Sequence, residues 1–272
     1  MTRFETNGHV ALLVTVGNGE VAVDGSSENG VEVDLVPLRD NDATRQAIAE
    51  ARVEMTDRGE GHEVVVQLQK KSGFMVGRGA KIGVRIRCPR GSDLSLRTGS
   101  ADLDATGELG AVDVKTASGD VAVDDATQLQ SQSASGDLRG NRVRGRVECR
   151  TASGDVRIGR CEGPLIAQLV SGDLSVGEAS AGVAVTTVSG DVRFDGAGGG
   201  AIRVQSVSGD VHLAITPGER LYIDASSVSG RMTSELDVGE SDVDGQGGPV
   251  NELRVRTVSG DLQIVRAVGV GA

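Results

Sequence analysis

Residues 187–192 read Thr-Val-Ser-Gly-Asp-Val, and residues 206–211 read Ser-Val-Ser-Gly-Asp-Val. The Ser-Gly-Asp core of that stretch starts at Ser118, Ser135, Ser153, Ser171, Ser189, Ser208 and Ser259, and an eighth copy at Ser229 reads Ser-Gly-Arg. The first five copies lie 17, 18, 18 and 18 residues apart. A short fixed period marks a repeat architecture. Gly reaches a positive φ without a Cβ clash, and Ser and Asp side chains bond nearby backbone N–H groups, so the tripeptide reads as a sharp turn.

The flanking columns show what the turn joins. One residue after the Asp stands Val121, Leu138, Val156, Leu174, Val192, Val211, Met232 or Leu262; eight before it stands Val112, Leu129, Val147, Leu165, Val183, Ile202, Ile223 or Leu253. Three after it stands Val123, Ile158, Val176, Phe194, Leu213 or Ile264, with Gly140 and Ser234 as lapses. Alternation with period 2 on both sides of a turn is the pattern of half-buried strands. Four residues before the Asp, a hydroxyl recurs: Thr116, Ser133, Thr151, Thr187, Ser206, Ser227, Thr257. A degenerate copy at residues 94–103 puts Asp102 18 residues before Asp120, so the beat starts near residue 91.

One rung of about 18 residues cannot bury its apolar face alone, but stacked rungs at roughly 4.8 Å can. The chain is therefore expected to be all-β: a parallel β-solenoid over residues 91–272, preceded by a small α+β region over residues 1–90. An antiparallel sandwich also has short strands between turns, but its strands have no reason to repeat in identical columns. In the first 90 residues, strands are expected over 10–16, 21–23, 31–38, 63–69 and 82–87. A helix capped by Asp42 is expected to run to about Met55, with Ile48, Ala51 and Met55 on one face. Solenoid ends expose strand edges, and that helix is a candidate cover.

Composition narrows the function. The net charge of −11 argues against a nucleic-acid partner. No apolar run reaches membrane-spanning length. The first residues show no apolar signal segment, and the three Cys (88, 149, 161) have no motif spacing, so a cytoplasmic location is expected. Cys149 falls on an inward column. Only four Lys (70, 71, 81, 115) stand among the basic residues, an Arg bias that points to a GC-rich bacterial genome. His9, His62 and His212 lie far apart in sequence and are expected at surface or turn positions.

The repeat Thr-Val-Ser-Gly-Asp-Val over residues 95–265 resembles a bacterial family of uncharacterised function that carries a candidate-adhesin label and β-strand repeats. The resemblance implies a β-helix-like fold and brings no catalytic residue with it.

The Asp column is the sharpest candidate for an interaction surface. In-register rungs would line up Asp120, Asp137, Asp155, Asp173, Asp191 and Asp210. Neighbouring carboxylates about 5 Å apart repel by roughly 1 kcal/mol in water. Turn N–H groups could offset this, as could the outward Arg139, Arg157 and Arg193, or a cation such as Ca²⁺. Ser and Gly hold at all eight turns while the Asp yields at Arg231, so the backbone geometry reads as more demanded than the charge. A glycan-active β-helix enzyme is the enzymatic alternative, but with no Trp, one Tyr and three Phe the chain lacks aromatic sugar platforms. No hexapeptide beat supports an acyltransferase. The expected role is thus a non-enzymatic scaffold or protein-interaction module without cofactor. A ligand- or cation-binding protein using the Asp column is the alternative. The last repeat, at residues 255–264, offers an open end for end-to-end self-association.

Overall fold

The computed structural model describes residues 1–59, 61–68, 79–217, 221–236 and 251–267. The chain divides into two compact units, Met1–Arg142 and Val143–Ala272.

The first unit holds β1 (Thr2–Phe4), β2 (His9–Ser27), β3 (Val31–Pro37), α1 (Asp42–Ala49), β4 (Arg52–Arg58), β5 (Gly61–Gln67), β6 (Ile82–Pro89), β7 (Ser92–Thr116), β8 (Val121–Ser133) and β9 (Leu138–Val143). Its centre is a parallel stack. β7 pairs with β8 in register, Leu103 beside Val121 and Val112 beside Leu129. On its other side β7 pairs with β2, which brings Leu12 beside Leu94, Val14 beside Leu96 and Val21 beside Leu103. Residues 9–27 thus form a rung although they lack the beat. Gly19 takes the Gly column at φ 143° and Glu20 takes the Asp column. β5 and β6 together make the next rung outward, parallel to the two halves of β2. Two antiparallel strands close this end: β4 on β5 and β3 on β6, with β1 added to β3.

The helix differs from its expectation. It ends at Ala49, its N-cap is Asn41, and the Asn41 carboxamide oxygen accepts from the Thr44 N–H at 2.7 Å. Met55 lies in β4, opposite Val64 of β5. Strand pairing outweighs the helical spacing there, helped by the β-branched Val53 and Thr56. α1 packs against β3, with Thr44 fully buried, so it rests on its local sheet. The basic pair Lys70-Lys71 lies outside the described residues.

The second unit holds β10 (Val147–Thr151), β11 (Val156–Cys161), β12 (Leu165–Ser171), β13 (Leu174–Ala179), β14 (Val183–Ser189), β15 (Val192–Ala197), β16 (Ile202–Ser208), β17 (Val211–Ile215), β18 (Leu221–Ser229), β19 (Met232–Ser234), β20 (Asn251–Ser259) and β21 (Leu262–Arg266). Each rung is two strands joined by the Ser-Gly-Asp or Ser-Gly-Arg corner. First strands stack parallel as β10, β12, β14, β16, β20, β18. Second strands stack as β11, β13, β15, β17, β21, β19. The columns meet as the sequence requires: Val176, Phe194, Leu213 and Ile264 are neighbours across successive rungs, all at 2% exposure or less. Burying each such side chain contributes about 1.5–3 kcal/mol.

The last two rungs stack out of chain order. The rung of β20 and β21 lies between β16/β17 and β18/β19. The expected open end at residues 255–264 is therefore interior, and among the described residues the outermost rung is residues 221–234. Chemistry explains the order. The inner rung offers Leu253, Val255, Leu262 and Ile264, all buried, whereas the outer one carries Ser234 in an apolar column and Arg231 in the Asp column. The poorer rung sits where only one side must be packed.

Candidate functional site: the turn column and the valine row

The eight corners fall into two classes, set by the residue before the Ser. Where it is Ala (Ala117, Ala134, Ala152), the strand stops at the hydroxyl residue. That hydroxyl then accepts the Gly N–H three residues on: Thr116 from Gly119 at 2.8 Å, Ser133 from Gly136 at 2.7 Å, Thr151 from Gly154 at 2.9 Å. These three Gly are buried and do not take a positive φ. Where the residue is Val (Val170, Val188, Val207, Val228, Val258), the strand runs on through the Ser. Gly172, Gly190, Gly209, Gly230 and Gly260 then turn at φ between 122° and 151°. Where the adjacent rung is also of the Val class, the Gly N–H crosses to its Ser carbonyl, as from Gly190 to Ser208 at 3.2 Å. A β-branched side chain prefers the extended backbone and Ala does not insist on it, so one methyl-bearing branch selects the turn.

The hydroxyl column follows the same division. In Val corners it has lost its acceptor role: Thr187 Oγ1 has no partner, and Thr257 Oγ1 donates only weakly to the Ser259 carbonyl at 3.4 Å. The first Val corner dispenses with the hydroxyl and places Leu169 there, 4% exposed.

The Asp column is a hydrogen-bonded ladder in both classes. Along it, an Asp Oδ1 accepts the backbone N–H of the residue in the same column on the next rung. Asp102 takes Asp120 at 2.9 Å and Asp120 takes Asp137 at 2.9 Å in the first unit. In the second, Asp155 takes Asp173 at 3.0 Å, Asp173 takes Asp191 at 2.9 Å, Asp191 takes Asp210 at 2.8 Å, and Asp210 takes Asp261 at 2.7 Å. Asp261 takes the N–H of Arg231 at 2.8 Å. In return, the residue after the Asp donates its N–H to the carbonyl of the same column on the next rung, as Leu174 does to Asp191 at 2.9 Å and Leu262 to Arg231 at 2.9 Å. Backbone donors therefore engage one oxygen of these carboxylates and offset their mutual repulsion.

Arg231 now has a positional reason. An Asp side chain in this column serves the rung beyond it, and among the described residues the rung of Arg231 is the last. Among the flanking cations, Arg157 pairs with Asp155 at 2.9 Å, but Arg193 turns to Asp195 at 2.8 Å. Arg139 lines a shallow groove with Glu20, Asp102, Asp104, Asp120 and Asp137. Among the described residues, no three His, Cys, Asp or Glu side chains gather to hold a metal ion.

The Val corners put a second column on the surface. Val170, Val188, Val207 and Val258 are 47–53% exposed and Val228 is 82% exposed. Pairing of their flanking residues sets them side by side in the order 170, 188, 207, 258, 228. The Asp column alone did not reveal this row; the signal was the switch from Ala to Val before Ser-Gly after the third corner.

Two His that look unmatched in sequence each find a carboxylate: His9 Nε2 lies 2.9 Å from Asp93 and His62 Nδ1 lies 2.8 Å from Asp57. Burial pushes the Cys149 thiol up to about 12, and those of Cys88 and Cys161 up to about 11. All three are free and buried. No helix among the described residues is long and apolar enough to cross a membrane.

Residues 26–265 match the model of the family described as Toastrack DUF4097. No curated protein matches. Similar solved structures include candidate adhesins from Parabacteroides merdae (12% identity, 97% of this chain and 95% of that one, TM-score 0.39) and Parabacteroides distasonis (11%, 97% and 95%, 0.37). A candidate cell adhesion protein from Clostridium sporogenes is also similar (11%, 94% and 92%, 0.29).

Proposed function

This chain belongs to the Toastrack DUF4097 family, and we propose that it is a non-enzymatic β-solenoid scaffold whose exposed valine row docks a protein partner. The observation that carries this reading is the row itself: five Val in register, each about half exposed or more. The turn needs a β-branched residue there, and Thr would supply one without an apolar surface. Aligned apolar side chains on a strand edge mark an interaction face. The Asp column supports the reading from the other side, because backbone N–H groups hold one oxygen of its carboxylates and the column serves the fold. The three buried, unpaired thiols suit a reducing cytoplasm, where we place the chain.

The test is site-specific photo-crosslinking in the host. A photoreactive residue at Val188 is expected to capture one protein that the same residue at Arg203, which is also outward-facing, does not. The capture is expected to be lost when Val170, Val188 and Val207 are changed to Lys around a photoreactive residue at Val258. Equal capture at both positions, or capture that survives the Lys changes, would overturn the reading.

A further inference from the structure

The parallel stack is terminated differently in the two units. In the first, antiparallel strands cover the outermost rung: β4 runs along β5 from Arg52 beside Gln67 to Arg58 beside Gly61, and β3 runs along β6. The β4 strand carries Arg52, Glu54, Asp57 and Arg58, charges that guard a sheet edge. In the second unit the outermost rung is β18 and β19, paired to β20 and β21 on one side. Among the described residues no strand pairs with its other side.

The bonding rule of the stack says which groups face that side. An inward residue donates its N–H to the next rung: Leu165 to Gly182 at 3.0 Å, Val183 to Ala201 at 2.9 Å, Val211 to Asp261 at 2.9 Å. The equivalent residues of β18 are Ile223 and Ala225, and no rung follows them. The outward side chains of this strand are also bare, with Tyr222 65% and Val228 82% exposed. Local charge is balanced. Asp224 meets Arg254 at 3.1 Å and Arg256 at 3.9 Å, so a chain of net charge −11 can bring this edge against its own copy.

We propose that a second copy of this chain completes the edge, β18 lying antiparallel to β18 of the copy about a two-fold axis at Ala225. The proposal rests on the interaction-module reading; it takes only Val228, the end member of the valine row, and leaves Val170, Val188 and Val207 free. Antiparallel addition is how the chain itself ends its other stack. In this register Ile223 faces Ser227 and exchanges backbone hydrogen bonds with it, while Tyr222 meets Val228 on the outward face, once in each half. A two-fold contact of this kind is closed: it pairs the β18 edge of each copy and stops at a dimer.

The test combines light scattering with directed crosslinking. The wild-type chain is expected to show twice the monomer mass at micromolar concentration. The pair Tyr222→Lys and Val228→Lys is expected to halve it, with the melting transition retained. The pair Tyr222→Cys and Val228→Cys is expected to give a disulfide-linked dimer under oxidation. Within one chain those positions are six residues apart along an extended strand, so they cannot bridge, and the native thiols are buried. A monomer at all concentrations, an open-ended polymer, a dimer that survives the Lys pair, or a Cys pair that stays unlinked would each overturn the proposal. The Lys changes at Val170, Val188 and Val207 should leave the dimer intact, which separates its failure from that of the partner-docking reading.

Discussion

The rungs with Ala corners and the rungs with Val corners share one column logic and spend it differently. In an Ala corner the hydroxyl holds the Gly N–H, and the Gly is buried. In a Val corner the strand runs two residues further, the Gly N–H crosses to the next rung where a Val rung follows, and the hydroxyl has no acceptor work. The extension aims a Val outward. One side chain thus converts a sealed turn into one that presents an apolar row to solvent, and the ladder of Asp carboxylates persists through both classes.

The largest effect is expected where the classes agree. A Cβ on Gly119 would stand 2.0 Å from the Ala101 carbonyl oxygen, and one on Gly190 would stand 2.1 Å from that of Gly172. Gly119→Ala and Gly190→Ala should each cost about 3 kcal/mol in urea unfolding. Gly190→Ala should lose about 1 kcal/mol more because of its φ of 132°. A tolerated substitution at either site would break the shared part of the comparison.

The hydroxyl column should separate the classes. Thr151→Val leaves the buried Gly154 N–H without its acceptor and is expected to cost about 1–2 kcal/mol. Thr187→Val removes an oxygen that already lacks a partner and should be neutral or stabilising. Equal losses would mean that the two corners are not distinct.

The ladder gives a smaller effect in both classes. Asp120→Ala and Asp191→Ala should each cost on the order of 1 kcal/mol, and Asp191→Asn, which keeps an acceptor, less. Arg231→Ala, on the last rung, should change stability by less than about 0.5 kcal/mol. Thermal unfolding of the four variants side by side checks the ordering.

Much of this was legible in the sequence, because a repeat writes its columns openly. The inward residues Leu174, Val176, Val183 and Val185 are buried as their alternation requires. The rung at residues 9–27 was not legible as a rung. Its alternation at Val10, Leu12, Val14 and Val16 reads as a strand, but Gly19-Glu20 replaces Gly-Asp, and its parallel partner begins some 80 residues later. The stacking order of the last two rungs was hidden for a different reason. Both carry the same columns, so either order is in register, and only the lapses at Arg231 and Ser234 told them apart. The helix ends sooner than its spacing implies because Ile48, Ala51 and Met55 fit a helical face as well as they fit a turn and a strand. Pairing with β5 decided it. At the candidate site, the Asp column was visible, whereas its purpose required the neighbouring rung, which no single repeat contains.

The central claim is that the residue before Ser-Gly selects the corner. The structure of the Ala152→Val variant tests it most directly. In this variant β10 is expected to extend to Ser153, Gly154 to take a positive φ, its N–H to leave the Thr151 hydroxyl, and the new Val to join the surface row beside Val170. A Gly154 N–H still bonded to Thr151, with its φ unchanged, would contradict the account.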